Sequence, residues 1–199
     1  ENYFDIQEIT SRNLDENAKL ITLGGDHSVT YPIIRALSGI HPKIDILHFD
    51  AHPDLYDELD GDKHSHACPF ARIMEEGLVS KLVQVGIRTL NKHQKEQAEK
   101  FGVEIYEMRK LEVSKIPDFE NPVYISLDMD VFDPAFAPGV SHHEPGGMTS
   151  RQVIEIVQNI RQTIIGADIV EYNPTRDIQN ITGVLAAKLL KEILGKMLS

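Results

Sequence analysis

Residues 44–54 read IDILHFDAHPD, and the fold turns on how they are read. Ile44–Phe49 is a short apolar run that stops at Asp50, with His52 and Asp54 following at two-residue spacing. Apolar runs of similar length recur at Leu20–Leu23, Leu82–Gly86, Val103–Tyr106, Val123–Leu127 and Ala167–Glu171. Helix-like segments lie between them: Thr30–Leu37, Pro69–Glu76, Lys92–Phe101, Ser150–Thr163 and Thr182–Met197. The last two repeat apolar residues three and four apart, as in Val153, Ile156, Val157 and Ile160 or in Leu185, Leu189 and Ile193. Thr149 or Ser150 is placed to cap the first of these. Short apolar strands alternating with helices predict an α/β fold, a mostly parallel sheet covered by helices on both faces.

Function in such a sheet gathers beyond the carboxyl ends of the strands. Asp26 and His27 follow ITLGG, Asp50 follows ILHF, Asp128 follows YISL and Glu171 closes ADIV. Side chains at i, i+2 and i+4 of a strand share a face, so Asp50, His52 and Asp54 are expected to point together. Asp128 and Asp130, in YISLDMDVFDP, repeat the spacing. A hydrogen-bonded turn would account for one aspartate but not for three groups in register. Four converging carboxylates repel one another unless cations stand between them, and two divalent ions match their charge. With oxygen and imidazole donors and no thiolate, the set suits Mn²⁺, with Zn²⁺, Fe²⁺ and Co²⁺ still open. Such a pair lowers the pKa of bound water, so the chemistry expected is hydrolysis.

Composition narrows the partners. The chain has 199 residues, enough for one core, and reads as a single domain over 1–199. Its 31 acidic and 20 basic residues give a net charge of −11, which argues against nucleic acid and admits a small cationic partner. No apolar stretch is long enough to span a bilayer, and no signal segment opens the chain, so a cytoplasmic protein is expected. The single cysteine, Cys68, rules out an intramolecular disulfide and suits a reducing compartment, where it reads as a small packed residue.

GGDHS (24–28), DAHPD (50–54), SLDMDVFDPAFAPG (126–139) and DIVEYNP (168–174) together resemble the ureohydrolase family of arginases and agmatinases, in the family's order. HSHACPFARIMEEG (64–77) and EYNPTRD (171–177) look closest to the plant-type arginase branch. The resemblance implies the family's three-layer α/β/α fold without its N-terminal edge strands, in a chain truncated at that end. It implies that His27 and Asp54 bind a first Mn²⁺, His52 and Asp130 a second, and that Asp50 and Asp128 bridge them. It further implies that His66 shuttles protons, that Asp54 passes a proton to the leaving amine, and that Glu171 grips the substrate guanidinium. His48 shares the face of Asp50 and is expected to be packed or hydrogen-bonded behind it, while His64, His142 and His143 read as loop residues.

The expected activity is hydrolysis of arginine to ornithine and urea, with agmatine to putrescine, or another guanidino amine, as the alternative. In the loop after DAHPD, Asp57, Glu58, Asp60 and Asp62 would disfavour a substrate carboxylate if they faced the pocket; Lys63 would offset them. A single-zinc deacetylase and a non-catalytic scaffold are the competing functions. The uncovered strand edge left by the truncation favours a homo-oligomer.

Overall fold

The computed structural model describes residues 3–15 and 17–199. In chain order the elements are α1 (Asp5–Asn13), β1 (Leu20–Leu23), α2 (Thr30–Ser38), β2 (Asp45–Phe49), α3 (Pro69–Glu75), β3 (Lys81–Ile87), α4 (Lys92–Phe101), β4 (Glu104–Glu107), β5 (Val123–Asp128), α5 (Ser150–Asn159), β6 (Ile164–Val170) and α6 (Ile181–Leu198). The six strands form one sheet in the order β1-β6-β5-β2-β3-β4. Every pairing is parallel.

Alternation along the strands sorts side chains into two cores. Leu47 and Phe49 of β2, with Ile125 and Leu127 of β5 and Ala167 and Ile169 of β6, meet Val153, Ile156 and Val157 of α5 and Leu189 and Ile193 of α6. On the opposite face Ile46, Tyr124 and Ile165 pack with Ile33, Ile34 and Leu37 of α2 and Phe70 and Ile73 of α3. Helices therefore cover both faces, and the three-layer expectation holds. Full burial of each such side chain is worth about 1.5–3 kcal/mol, which is why strands enclosed on both sides read as mostly apolar runs.

Local chemistry sets several boundaries. Thr149 caps α5 in a reciprocal box with Gln152. Asn91 accepts from the Gln94 N–H to open α4, and Gly102 closes it at φ 67°. Two boundaries differ from the sequence reading by more than one residue. α5 ends at Asn159 rather than Thr163, and β6 begins at Ile164 rather than Ala167. No glycine or proline stands between them, so the helical period runs on past the point where the Val123 N–H donates to the Thr163 carbonyl and pulls the chain into the sheet. The polar segment of α1, DIQEITSRN, carried too little apolar pattern to be read as a helix.

The strand order places the site. From β2 the chain moves outward through β3 to β4, then returns to β5 on the other side of β2 and continues to β6. The topological switch point therefore lies between β2 and β5, where a crevice opens beyond their carboxyl ends. Asp50 and Asp128 stand on its two sides.

Candidate metal centre

The clustered residues meet, though not through strand parity. β2 ends at Phe49, so Asp50, His52 and Asp54 lie in the connection beyond it. Asp50 Oδ1 accepts from the His52 N–H at 2.6 Å, folding the chain back on itself. Asp54 adopts a left-handed φ of 50°. Asp130 likewise sits in a one-turn 3₁₀ segment, Met129–Val131, whose start is capped by Asp128 Oδ1 on the Asp130 N–H at 2.7 Å. The hydrogen-bonded turn is thus the device that gathers the ligating groups, and it is no alternative to their convergence.

Three carboxylate oxygens surround His27 Nδ1: Asp50 Oδ2 at 3.2 Å, Asp54 Oδ2 at 3.1 Å and Asp128 Oδ2 at 3.2 Å. This nitrogen is buried and makes no hydrogen bond. A second group forms around His52 Nδ1, with Asp50 Oδ1 at 3.3 Å and Asp130 Oδ2 at 3.0 Å. The two oxygens of Asp50 thus face two different imidazoles. Neighbouring donors that share one ion in an oxygen-rich octahedral site stand roughly 3 Å apart. The observed spacings match, so the donor set fits two divalent ions sharing Asp50.

The electrostatics of the metal-free chain carry the same message. Burial by itself disfavours the His27 imidazolium, but Asp128, Asp50 and Asp54 outweigh it and hold the ring well above its ordinary value. Burial likewise opposes the charge on His52, yet Asp130 and Asp50 raise it to about 12. Burial, then the neighbouring charges of Asp130 and Asp50, push Asp128 up. Asp54 is raised to about 6, by burial and then by Asp50. Asp50 alone goes down, since the imidazoles of His27, His48 and His52 around it outweigh the cost of its burial. Protons occupy the places of cations.

A supporting layer holds these groups. His48 Nε2 donates to Asp50 Oδ2 at 2.8 Å, and the Gln84 amide donates to His48 Nδ1 at 3.1 Å. Both ring nitrogens are engaged behind Asp50, and burial lowers the ring to about 4, so His48 stays neutral there. Gly86, at φ 100° in a bulge of β3, lets the backbone of Asp50 pass close by. Arg88 donates to the Asp130 carbonyl at 2.7 Å and to the Glu144 carbonyl at 2.6 Å, tying the second aspartate pair to the 141–147 loop.

A cavity of about 300 Å³ opens onto this centre, lined by His52, Asp54, Asp128, Asp130, His66 and Glu171 among others. Glu171, at a left-handed φ of 62°, accepts from the His27 N–H through Oε1 at 2.9 Å. The sequence reading assigned nothing to His142 or Glu144, yet both line this cavity. His142 lies parallel to His66 with ring centroids 5.7 Å apart. Glu144 Oε1 stands 3.8 Å from His52 Nε2. Loop position alone carries no signal of this; it arises because Ser141 is held by Asn173 and Arg176, and Glu144 by Arg88, on either side. Of the charged loop residues, Asp57, Glu58 and Lys63 line a separate outer cavity, and Asp60 and Asp62 a third. None of the five faces the centre, so their charge is no bar to a substrate carboxylate there.

The fold and site define an α/β/α domain of parallel strands that gathers carboxylates and imidazoles at its switch point in the manner of a divalent-metal hydrolase. The model of the arginase family matches residues 3–195, and the chain belongs to that family. A mitochondrial arginase from Medicago truncatula is 48% identical over 96% of this chain and 60% of its own length. Arginase 1, mitochondrial, from Arabidopsis thaliana is 50% identical over 92% of this chain and 56% of its own. The solved Medicago truncatula arginase superimposes with a TM-score of 0.90 at 45% identity, over 96% of this chain and 64% of that one. A triple mutant of a T. brucei arginase-like protein, solved bound with Mn²⁺, superimposes at 0.87 with 30% identity, over 99% and 66%. The chain thus spans a little over half the length of the plant relatives it matches. Their mitochondrial names overturn the cytoplasmic expectation. The family match already begins at residue 3, so the opening residues read as domain and carry no information on a targeting segment.

Proposed function

We propose that this chain carries the catalytic centre of a binuclear manganese ureohydrolase that converts arginine to ornithine and urea. The observation that carries the reading is Asp50, whose two oxygens address separate imidazoles, each with carboxylates of its own. His27, Asp50, Asp54 and Asp128 would hold one ion, and His52, Asp50, Asp128 and Asp130 the other. A pair of divalent ions, when bound, supplies Lewis acidity and lowers the pKa of water at the site.

The chain's own groups do the rest. Glu171 spends Oε1 on the His27 N–H, which leaves Oε2 to accept from a guanidinium N–H and to offset the repulsion between that cation and the ions. Asp54, in the cavity wall beside His27, takes the proton of the attacking water and passes it to the leaving amine. His66 borders both this cavity and an outer one, a position suited to proton exchange with solvent. The mouth carries imidazoles and neither lysine nor arginine, and a substrate α-carboxylate would meet His66, His142 and the Tyr56 hydroxyl. That environment, together with the plant arginases among the relatives, favours arginine over agmatine.

Urea release with arginine, agmatine and guanidinobutyrate under saturating Mn²⁺ tests the reading. Turnover of arginine ahead of the other two is expected. Turnover of agmatine alone would transfer the assignment to an agmatinase. One tightly held ion per chain would favour a single-zinc deacetylase, and silence with all three substrates in fully metallated protein would leave a scaffold.

A further inference from the structure

Ser126 and Asp168 open two of the sequence motifs, SLDMD and DIVEYNP, yet the reaction described above gives neither a task. They are register partners on adjacent strands, β5 and β6, and both are fully buried. A carboxylate in the middle of a sheet is costly unless its surroundings compensate. Three hydroxyls bond to Asp168: Tyr124 and Thr30 donate to Oδ2 at 2.8 and 2.9 Å, and Ser126 donates to Oδ1 at 2.8 Å. The Ser126 oxygen also lies 2.9 Å from His27 Nε2.

With Asp168 ionised, the proton count along this chain has one solution. An ionised carboxylate only accepts, and a serine hydroxyl has one proton. With that proton given to Asp168, Ser126 can only accept from His27, so Nε2 carries hydrogen. In the neutral ring Nδ1 is then a bare lone pair. That lone pair is the atom facing Asp50, Asp54 and Asp128. The arrangement is repulsive without a cation and is the one a metal ligand requires. Exchange of the ion for a proton leaves the hydrogen bonds behind His27 unchanged.

We infer that Asp168 is a positioning residue which, through Ser126, locks His27 in the Nε2–H tautomer and directs Nδ1 at the first ion. The inference rests on the two-ion reading above. It predicts unequal ions: the one beside His27 depends on Asp168, and the one beside His52 does not.

The test is Mn²⁺ titration of the intact chain and of Asp168→Asn, Ser126→Ala and Tyr124→Phe, with bound ions counted by elemental analysis after dialysis. Far-ultraviolet circular dichroism of each metal-free protein verifies folding. Asp168→Asn and Ser126→Ala should each weaken one of the two ions by about 10–100-fold, the usual effect of removing such support. Tyr124→Phe also takes one hydroxyl from Asp168, but off the path to His27, and should keep both ions at parent affinity. Two ions held at parent affinity in Ser126→Ala, or equal weakening in Tyr124→Phe and Ser126→Ala, would overturn the relay and leave the metal centre standing. A parent chain that binds no Mn²⁺ would remove both.

Discussion

Replacing Gly86 with alanine attacks the centre from behind. Gly86 sits at φ 100°, in the β3 bulge where the ladder to β4 shifts register between Val85 and Ile87. A methyl group there would lie 2.5 Å from Val131 Cγ2 and 3.0 Å from the Asp50 carbonyl oxygen. Holding a side-chain-bearing residue at that φ costs about 1–3 kcal/mol. Forcing a methyl into a filled space adds about 1–3 kcal/mol. Val131 follows Asp130 directly, and Asp50 is the proposed shared ligand, so relief of the clash must spread the two halves of the centre. Gly86→Ala should therefore lose about 2–6 kcal/mol of unfolding free energy, the sum of those two terms, and should also bind Mn²⁺ more weakly. Urea unfolding in the presence of chelator reads the first effect and Mn²⁺ titration of the folded variant reads the second. A variant within 0.5 kcal/mol of the parent, the ordinary scatter of surface changes, with unchanged metal affinity would refute the reasoning.

Proton linkage follows from the charges of the metal-free cluster. His52, raised to about 12, and His27, raised with it, hold protons at neutral pH that the ions must displace. Asp54, raised to about 6, adds another as pH falls. The proton-rich form is the metal-free one, so Mn²⁺ affinity should rise with pH and calorimetry in buffers of different ionisation enthalpy should detect released protons; constant affinity from pH 6 to 8 would contradict this. His142→Ala should lower kcat/KM for arginine by tenfold or more, about the 1.5–3 kcal/mol of a hydrogen bond to a charged group, with little effect on agmatine. Equal losses for the two substrates would show that His142 does not address the carboxylate. Leu23, on the outer edge of β1, is 67% exposed and Leu198 of α6 80% exposed, so self-association is expected in light scattering, against which a clean monomer at micromolar concentration would count.

Much of this molecule was legible because burial on two faces leaves a coarse trace. Ile44–Phe49 and Val123–Leu127 are mostly apolar, and the residues that follow them are polar for a reason the sheet topology explains. The candidate ligands are picked out by a spacing argument whose strand geometry the structure does not follow. Asp50 to Asp54 lie beyond their strand and are gathered by Asx-type hydrogen bonds, which also place groups two apart on one side. What escaped was set by long-range contact. Arg88 fastens the 141–147 loop from across the sheet, so His142 and Glu144 reach the cavity by a path that no local pattern records. The same holds for Asp168, whose neighbours Thr30, Tyr124 and Ser126 come from two other elements.

The central claim is that Asp50 joins two cation sites, and counting ions tests it most directly. Elemental analysis after equilibrium dialysis against Mn²⁺ should find two ions per chain, and Asp50→Asn should retain neither tightly. A parent chain that holds one ion, or an Asp50→Asn variant that keeps both, would contradict the account.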